Sequence, residues 1–299
     1  DATMQRRLAL AVTVCTALAG CALLIAMVTF QDETTDDFET SLGAATSGVW
    51  DYIGERGPDT WGNIKGYKKC KSGKNQSPIN IVPTKAVYSY RLPELDWQFE
   101  MGKRDPTVMF NGHTVTAEGN KATLNFDGKD WKLQEFIFHT PSENTLNGRR
   151  FPVEMQMLHT ASNGEQLIVA WFFDDKEWAP SYIPELFDTF PEAGAWTYLK
   201  RYPGPDNVHF NNFMDLLVLR ERDGHKYYYF RGSLTTPPCT EGVRWVVMTE
   251  ILGINSKDVA KLERIEGKNI RPTQPINGRK VWKSFPDTSV NGGNTVTVQ

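Results

Sequence analysis

The chain is expected to fold as a mainly β domain with short helices, preceded by one transmembrane helix. Three observations carry that expectation. Short apolar runs recur between turn signals, residues 8–30 carry no charge, and 299 residues that are 40% hydrophobic and 23% charged suffice for one large core.

Taken in order, residues 1–7 form a short basic N-terminus ending in Arg6-Arg7. The uncharged run 8–30 reaches about 35 Å as a helix at 1.5 Å per residue, enough to cross a bilayer core of about 30 Å. It is longer than the apolar centre of a signal peptide, although a cleaved signal peptide is the competing reading because Arg6 and Arg7 precede it. Gly20, Cys15, Cys21 and the alanines of this run would let another helix approach closely. Basic residues before the run, and Asp32, Glu33, Asp36 and Asp37 after it, place the N-terminus on the cytosolic or stromal side and the domain across the membrane. Residues 31–49 lack apolar periodicity and read as a linker.

The domain spans 50–285. Strands are expected over 107–110, 114–117, 122–126, 135–139, 153–159, 166–173, 215–219, 226–231 and 243–248, with Asn111-Gly112 and Asp127-Gly128 as hairpin turns. Short helices are expected near 183–187 and 256–264. This is an antiparallel pattern. The aromatic, proline-containing stretch 178–205 reads as loops packed on the domain, and 286–299 as a polar tail.

A net charge of −3 gives no general attraction to nucleic acid. Lys65, Lys68, Lys69, Lys71 and Lys74, and Arg149-Arg150, form local basic runs that read as solvated loops.

Several strings are more specific. They are Trp50-x-Tyr52 with Gly57-Pro58 and Trp61-Gly62; Asn75-Gln76-Ser77-Pro78-Ile79-Asn80-Ile81; Gln134 to Gly148, continued by Pro152 to His159; Leu234-Thr235-Thr236-Pro237-Pro238; and Arg271-Pro272-x-Gln274-Pro275-x-Asn277-x-Arg279. Together they resemble the α-carbonic anhydrase family. The resemblance implies a large, twisted, mostly antiparallel central sheet and assigns roles to particular residues. The three zinc-ligand positions fall on Ile137, His139 and Gln156, so one histidine of three remains. His159 matches a histidine that is not a ligand. Thr235 matches the hydroxyl that orients zinc hydroxide, with Glu143 as its acceptor, and His113 matches a proton-shuttle histidine. Trp245, Val243, Leu234, Leu158 and Val169 match an apolar CO2 pocket, while Glu135 and Asn144 depart from the family's usual glutamine and histidine. Cys70 and Cys239 occupy positions that many secreted members bridge, which implies a disulfide and an oxidising compartment.

Side chains alternate along a strand, so Glu135, Ile137 and His139 are expected to point together, as are Glu154, Gln156 and Leu158. Catalytic zinc takes about three protein donors, and isoleucine offers none. The expectation is therefore a vestigial site (Ile137, His139, Gln156, Thr235, Glu143 and His113) without zinc or another cofactor, in a chain that is not an enzyme. Its role is expected to be that of a structural or accessory subunit of an integral membrane complex, reached through the N-terminal helix and exposed loops. A thylakoid lumen is favoured because His139-Thr140-Pro141-Ser142-Glu143 resembles bacterial and algal members. The alternatives are an active or residual carbonic anhydrase, or a surface receptor for anionic polymers, as some metal-free relatives are.

Overall fold

Strands whose side chains are apolar on both faces must be covered on both faces, and the long central strands of this chain read that way. The computed structural model describes residues 50–100, 107–118, 121–176, 179 and 226–287. The chain divides into two units, Asp1–Ala44 and Ala45–Gln299, and the fold is that of the second. In chain order the strands are β1 (Asn80–Ile81), β2 (Val87–Tyr88), β3 (Asp96–Glu100), β4 (Thr107–Phe110), β5 (Val115–Glu118), β6 (Lys121–Phe126), β7 (Lys129–His139), β8 (Thr145–Leu146), β9 (Val153–Ala161), β10 (Gln166–Asp175), β11 (Tyr227–Ser233), β12 (Glu241–Ile254) and β13 (Trp282–Lys283). Among the described residues the α-helices are α1 (Lys69–Ser72) and α2 (Ser256–Glu266), beside short 3-10 turns.

Eleven strands form one sheet in the order β2-β13-β11-β12-β10-β9-β7-β5-β4, with β6 paired to β7 and β3 to β6; β1 and β8 pair separately. The sheet is mixed. Most neighbours are antiparallel, but β10 runs parallel to β12 and β13 parallel to β2. Asp127 and Gly128, at φ 55° and 68°, close the β6–β7 hairpin. Positive φ at both central residues suits the right-handed twist of the flanking strands.

One irregularity decides what faces where. Leu133 pairs with His159 but Glu135 pairs with Leu158, so Gln134 is an extra residue in β7. Such a bulge reverses the parity of the strand beyond it. Trp131 and Leu133 before it, and Phe136 and Phe138 after it, all enter the larger core with Met155, Met157, Leu167 and Trp171. Glu135, Ile137 and His139 are thereby turned to the opposite face. That face carries a second cluster containing Ile79, Ile168, Phe230, Val243 and Trp245, with Leu158 and Leu234 packed against it.

The expected pocket residue Val169 is corrected here: it lies in the larger core, and Ile168 takes the place beside Trp245 and Leu158. A shift of one residue exchanges faces. The expected strand 215–219, helix 183–187, apolar run 8–30, linker 31–49 and tail beyond 287 lie outside the described residues. Within the described residues no helix is long and apolar enough to cross a membrane.

Helix α2 begins where the Asn255 side chain accepts from Lys257 N–H at 2.9 Å and ends at Gly267 with φ 64°. Val259, Leu262 and Ile265 join the larger core. The Cys70–Cys239 disulfide is formed, with Cα atoms 5.0 Å apart, and packs with Tyr52 and Trp61. The closing motif clasps the same region. Buried Arg271 donates to the carbonyls of Ser77 (2.7 Å) and Cys70 (2.8 Å), and Arg279 donates to that of Gln76 at 2.7 Å.

Candidate functional site

Register places Ile137 across from Gln156 and His139 across from Glu154. Directly opposite residues of an antiparallel pair share a face, so these four side chains converge. Glu143 joins them from the segment after β7. Glu143 and Glu154 are 0% exposed and His139 and Gln156 only 1%, while Ile137 is half-buried.

The hydrogen bonds form a closed cluster. His139 Nδ1 lies 2.8 Å from the Asn269 carbonyl oxygen. A carbonyl only accepts, so Nδ1 carries a hydrogen and Nε2 is turned toward Glu143 Oε2 at 3.3 Å. Gln156 Nε2 donates to Glu143 Oε2 at 3.0 Å and to Glu154 Oε1 at 3.2 Å. Glu154 also accepts from Asn144, whose backbone N–H and Nδ2 are at 2.8 Å and 2.7 Å. Asn144 in turn accepts from Ile79 N–H at 3.0 Å, which explains what this departure from the family pattern does. Glu143 Oε1 takes the Arg271 backbone N–H at 2.9 Å. Burial, reinforced by the neighbouring Glu143 carboxylate, raises the Glu154 carboxyl above its ordinary range.

The other residues singled out from the sequence stand as follows. Thr235 is buried at 4% exposure, but it forms no hydrogen bond to Glu143 among the described residues; Gln156 and Arg271 hold that carboxylate instead. His113 follows the Asn111-Gly112 turn, its N–H donating to Asn111 Oδ1 at 3.0 Å. Its ring stacks on Trp50 with centroids 3.8 Å apart, and burial lowers its pKa. Glu135 shares the site face through its pairing with Leu158, with Ile137 between it and His139. His159 points into the larger core beside Trp97, with rings 5.4 Å apart. Asn269 orients both His139 and Thr140, the latter by accepting from its N–H at 2.8 Å. Nothing in the sequence singled it out, because a lone asparagine between α2 and the closing motif has no distinguishing pattern.

These residues do not fit a three-histidine zinc site. Ile137 has no lone pair, the Gln156 amide directs its N–H groups at two carboxylates, and His139 Nε2 faces Glu143 Oε2, one of the two oxygens that the amide meets. Among the described residues, no group of three or more His, Cys, Asp and Glu side chains could hold a metal ion.

Two buried groups give the stability a defined pH profile. Burial pushes the Glu266 carboxyl up to about 8, although it accepts from Val115 N–H at 2.6 Å. A raised folded-state pKa gives stability that is full below the unfolded value, about 4.3, and is lost as pH rises toward 8. Burial pushes His159 down to about 4. That contribution is full above about 6.5 and is lost as pH falls toward 4. The two slopes offset each other between these limits, so thermal unfolding is expected to show its highest midpoint at about pH 4.5–6.5. Glu266→Gln should remove the decline above about pH 6.5 and steepen the rise below it, and an unchanged alkaline slope in that variant would contradict this assignment.

Comparison with known proteins agrees with the fold. The family model for eukaryotic-type carbonic anhydrase matches residues 56–285, and the chain belongs to that family. It is 35% identical over 251 residues to a carbonic anhydrase of Neisseria gonorrhoeae, covering 81% of this chain and 92% of that one. It is 37% identical over 237 residues to a carbonic anhydrase of Klebsiella pneumoniae, covering 78% and 89%. Among solved structures, the α-carbonic anhydrase of Thermovibrio ammonificans in complex with the inhibitor sulfanilamide superposes with a TM-score of 0.63 at 36% identity, covering 78% of this chain and 98% of that one.

These relatives correct the expectation that the chain is not an enzyme. Proteins 35% and 37% identical over about four-fifths of the chain are named carbonic anhydrases, which points to an enzyme. That expectation gave two ligand positions the weight of the whole site. Replacing them leaves other groups capable of proton transfer, since His139, Glu143 and Glu154 remain together on one face.

Proposed function

We propose that the protein acts on the carbon dioxide–bicarbonate pair as a residual carbonic anhydrase whose site works without zinc. The identity to named carbonic anhydrases supports this reading, together with the buried acid–base cluster on the sheet face that carries Leu158, Leu234, Val243 and Trp245. In hydration, a water oxygen bonds to the carbon of CO2, one C=O electron pair moves to oxygen, and one proton leaves to give bicarbonate. Here the proton would pass to a carboxylate or imidazole of the cluster, and the apolar side chains would receive the uncharged substrate. A positioned general base contributes about 10²–10⁴-fold. Metal-assisted water activation would contribute more, because a catalytic metal lowers the pKa of its water from about 15.7 to about 7. Stopped-flow CO2 hydration by chelator-treated protein is expected to exceed the buffer rate modestly. A rate equal to that of buffer would end this reading.

A second reading concerns place. The uncharged run 8–30 and the Cys70–Cys239 disulfide favour a membrane-anchored protein whose domain lies in an oxidising compartment, such as a thylakoid lumen, as an accessory subunit of a membrane complex. Extraction from its native membrane in mild detergent should yield it within a larger assembly. A lone monomer would contradict the subunit role.

A further inference from the structure

The cluster around Gln156 explains more than the lack of three histidines. Two carboxylates, Glu143 and Glu154, are wholly buried within one hydrogen-bonded network. Buried carboxylates so close together repel unless something between them supplies positive charge or donated hydrogens. A single carboxamide does so here. The Gln156 NH2 group has two hydrogens and meets one oxygen of each carboxylate, at 3.0 Å and 3.2 Å. Other acceptor positions are taken by the Arg271 backbone N–H and by both nitrogens of Asn144. His139 Nε2, the nitrogen with the lone pair that a metal would need, is already turned to Glu143.

We infer that Gln156 is the residue that closes this cluster to metal ions: its amide stands between Glu143 and Glu154 and keeps Glu143 against His139 Nε2, while Ile137 closes the opposite strand position. The inference deepens the proposed zinc-free chemistry and rests on it for its functional meaning, although its test does not depend on activity. It assigns the two replaced positions different roles. Ile137 withholds a donor, whereas Gln156 both withholds a donor and satisfies the carboxylates that a cation would otherwise balance. Neither change alone should then restore binding. With Ile137→His, the amide still bridges the carboxylates. With Gln156→His, only two donors face the site.

The test is zinc uptake from zinc sulfate, measured by elemental analysis after desalting, on the full chain and on Ile137→His, Gln156→His and the double variant. The wild type and both single variants are expected to retain almost none, and the double variant about one zinc per chain, with a higher melting temperature when zinc is present. Near-stoichiometric zinc in the wild type or in Gln156→His would overturn the inference, as would a folded double variant that takes up none. Gln156→Met keeps the test decisive if the double variant does not fold. It retains the side-chain volume but removes both donors, and it is expected to lower the melting temperature by several degrees; an unchanged value would refute the bridging role. Lack of CO2 hydration by the wild type would end the functional proposal and leave these zinc results standing, whereas zinc uptake by the wild type, with hydration persisting in chelator, would end the inference and leave the functional proposal standing.

Discussion

Ile137→His together with Gln156→His is expected to raise CO2 hydration in the presence of zinc by at least about 100-fold over the wild type, because a catalytic metal lowers the pKa of its water by several units. The scaffold for this gain is already in place. Positions 137 and 156 lie directly across β7 and β9, and opposite Cβ atoms of such a pair are about 4.5–5.5 Å apart. His139 projects from the same face with its Nδ1 hydrogen committed to the Asn269 carbonyl, the tautomer that leaves Nε2 for a ligand. Glu143 and Glu154, relieved of the amide, are placed to accept from the outer N–H groups of new histidines, and such contacts orient ligands and raise their basicity. Stopped-flow hydration with and without zinc measures the effect. Each single variant should show no zinc-dependent gain. A folded, zinc-loaded double variant with the wild-type rate would mean that the site face lacks the geometry described.

Loss of the Cys70–Cys239 disulfide is expected to have the largest effect on stability. The bridge closes a loop of 169 residues, and the loop-entropy relation then gives about 5 kcal/mol. For a domain of this size that corresponds to a fall in melting temperature of about 10 °C. Local losses act in the same direction, since Gln76 Nε2 donates to the Cys239 carbonyl at 3.1 Å and Arg271 to that of Cys70 at 2.8 Å. The disulfide therefore ties the start of the domain to the loop carrying Thr235 and to the closing motif. Calorimetry of Cys70→Ser/Cys239→Ser, and of the wild type under reductant, measures this. A shift of less than about 2 °C would contradict it, because it would imply a contribution below about 1 kcal/mol.

The parts of this fold that were legible in the sequence are those with a period. Long strands such as β9 and β10, and helix α2, fall where their patterns place them to within a few residues. The strands that escaped notice include β1, β2, β8 and β13, each two residues long and too short to show alternation. The resemblance puts Val169 in the apolar pocket, one residue out of register, and β10 has no pattern against which to check it. Leu167 to Phe173 is buried throughout, so the sequence of β10 contains no polar side to mark which residues look outward. The bulge at Gln134 left no signal either, yet it turns Ile137 and His139 toward Gln156 and Glu154.

At the site, the residues at the positions that the resemblance assigns to zinc ligands are plain in the sequence, while what they do in the fold is not. A glutamine at 156 reads as a missing histidine; only the folded geometry shows that its amide bridges two buried carboxylates. The pairing of Glu143 with Arg271 N–H spans 128 residues, so no local pattern foretells it. The same distance effect produced the mistaken expectation of a non-enzyme, since the two altered positions are conspicuous and the surrounding acid–base groups are scattered along the chain.

The most direct test is CO2 hydration by wild-type protein shown by elemental analysis to be free of zinc and assayed in chelator. This account predicts a rate modestly above that of buffer, unchanged when zinc is added. A rate no greater than that of buffer, or one that appears only with zinc, would contradict it.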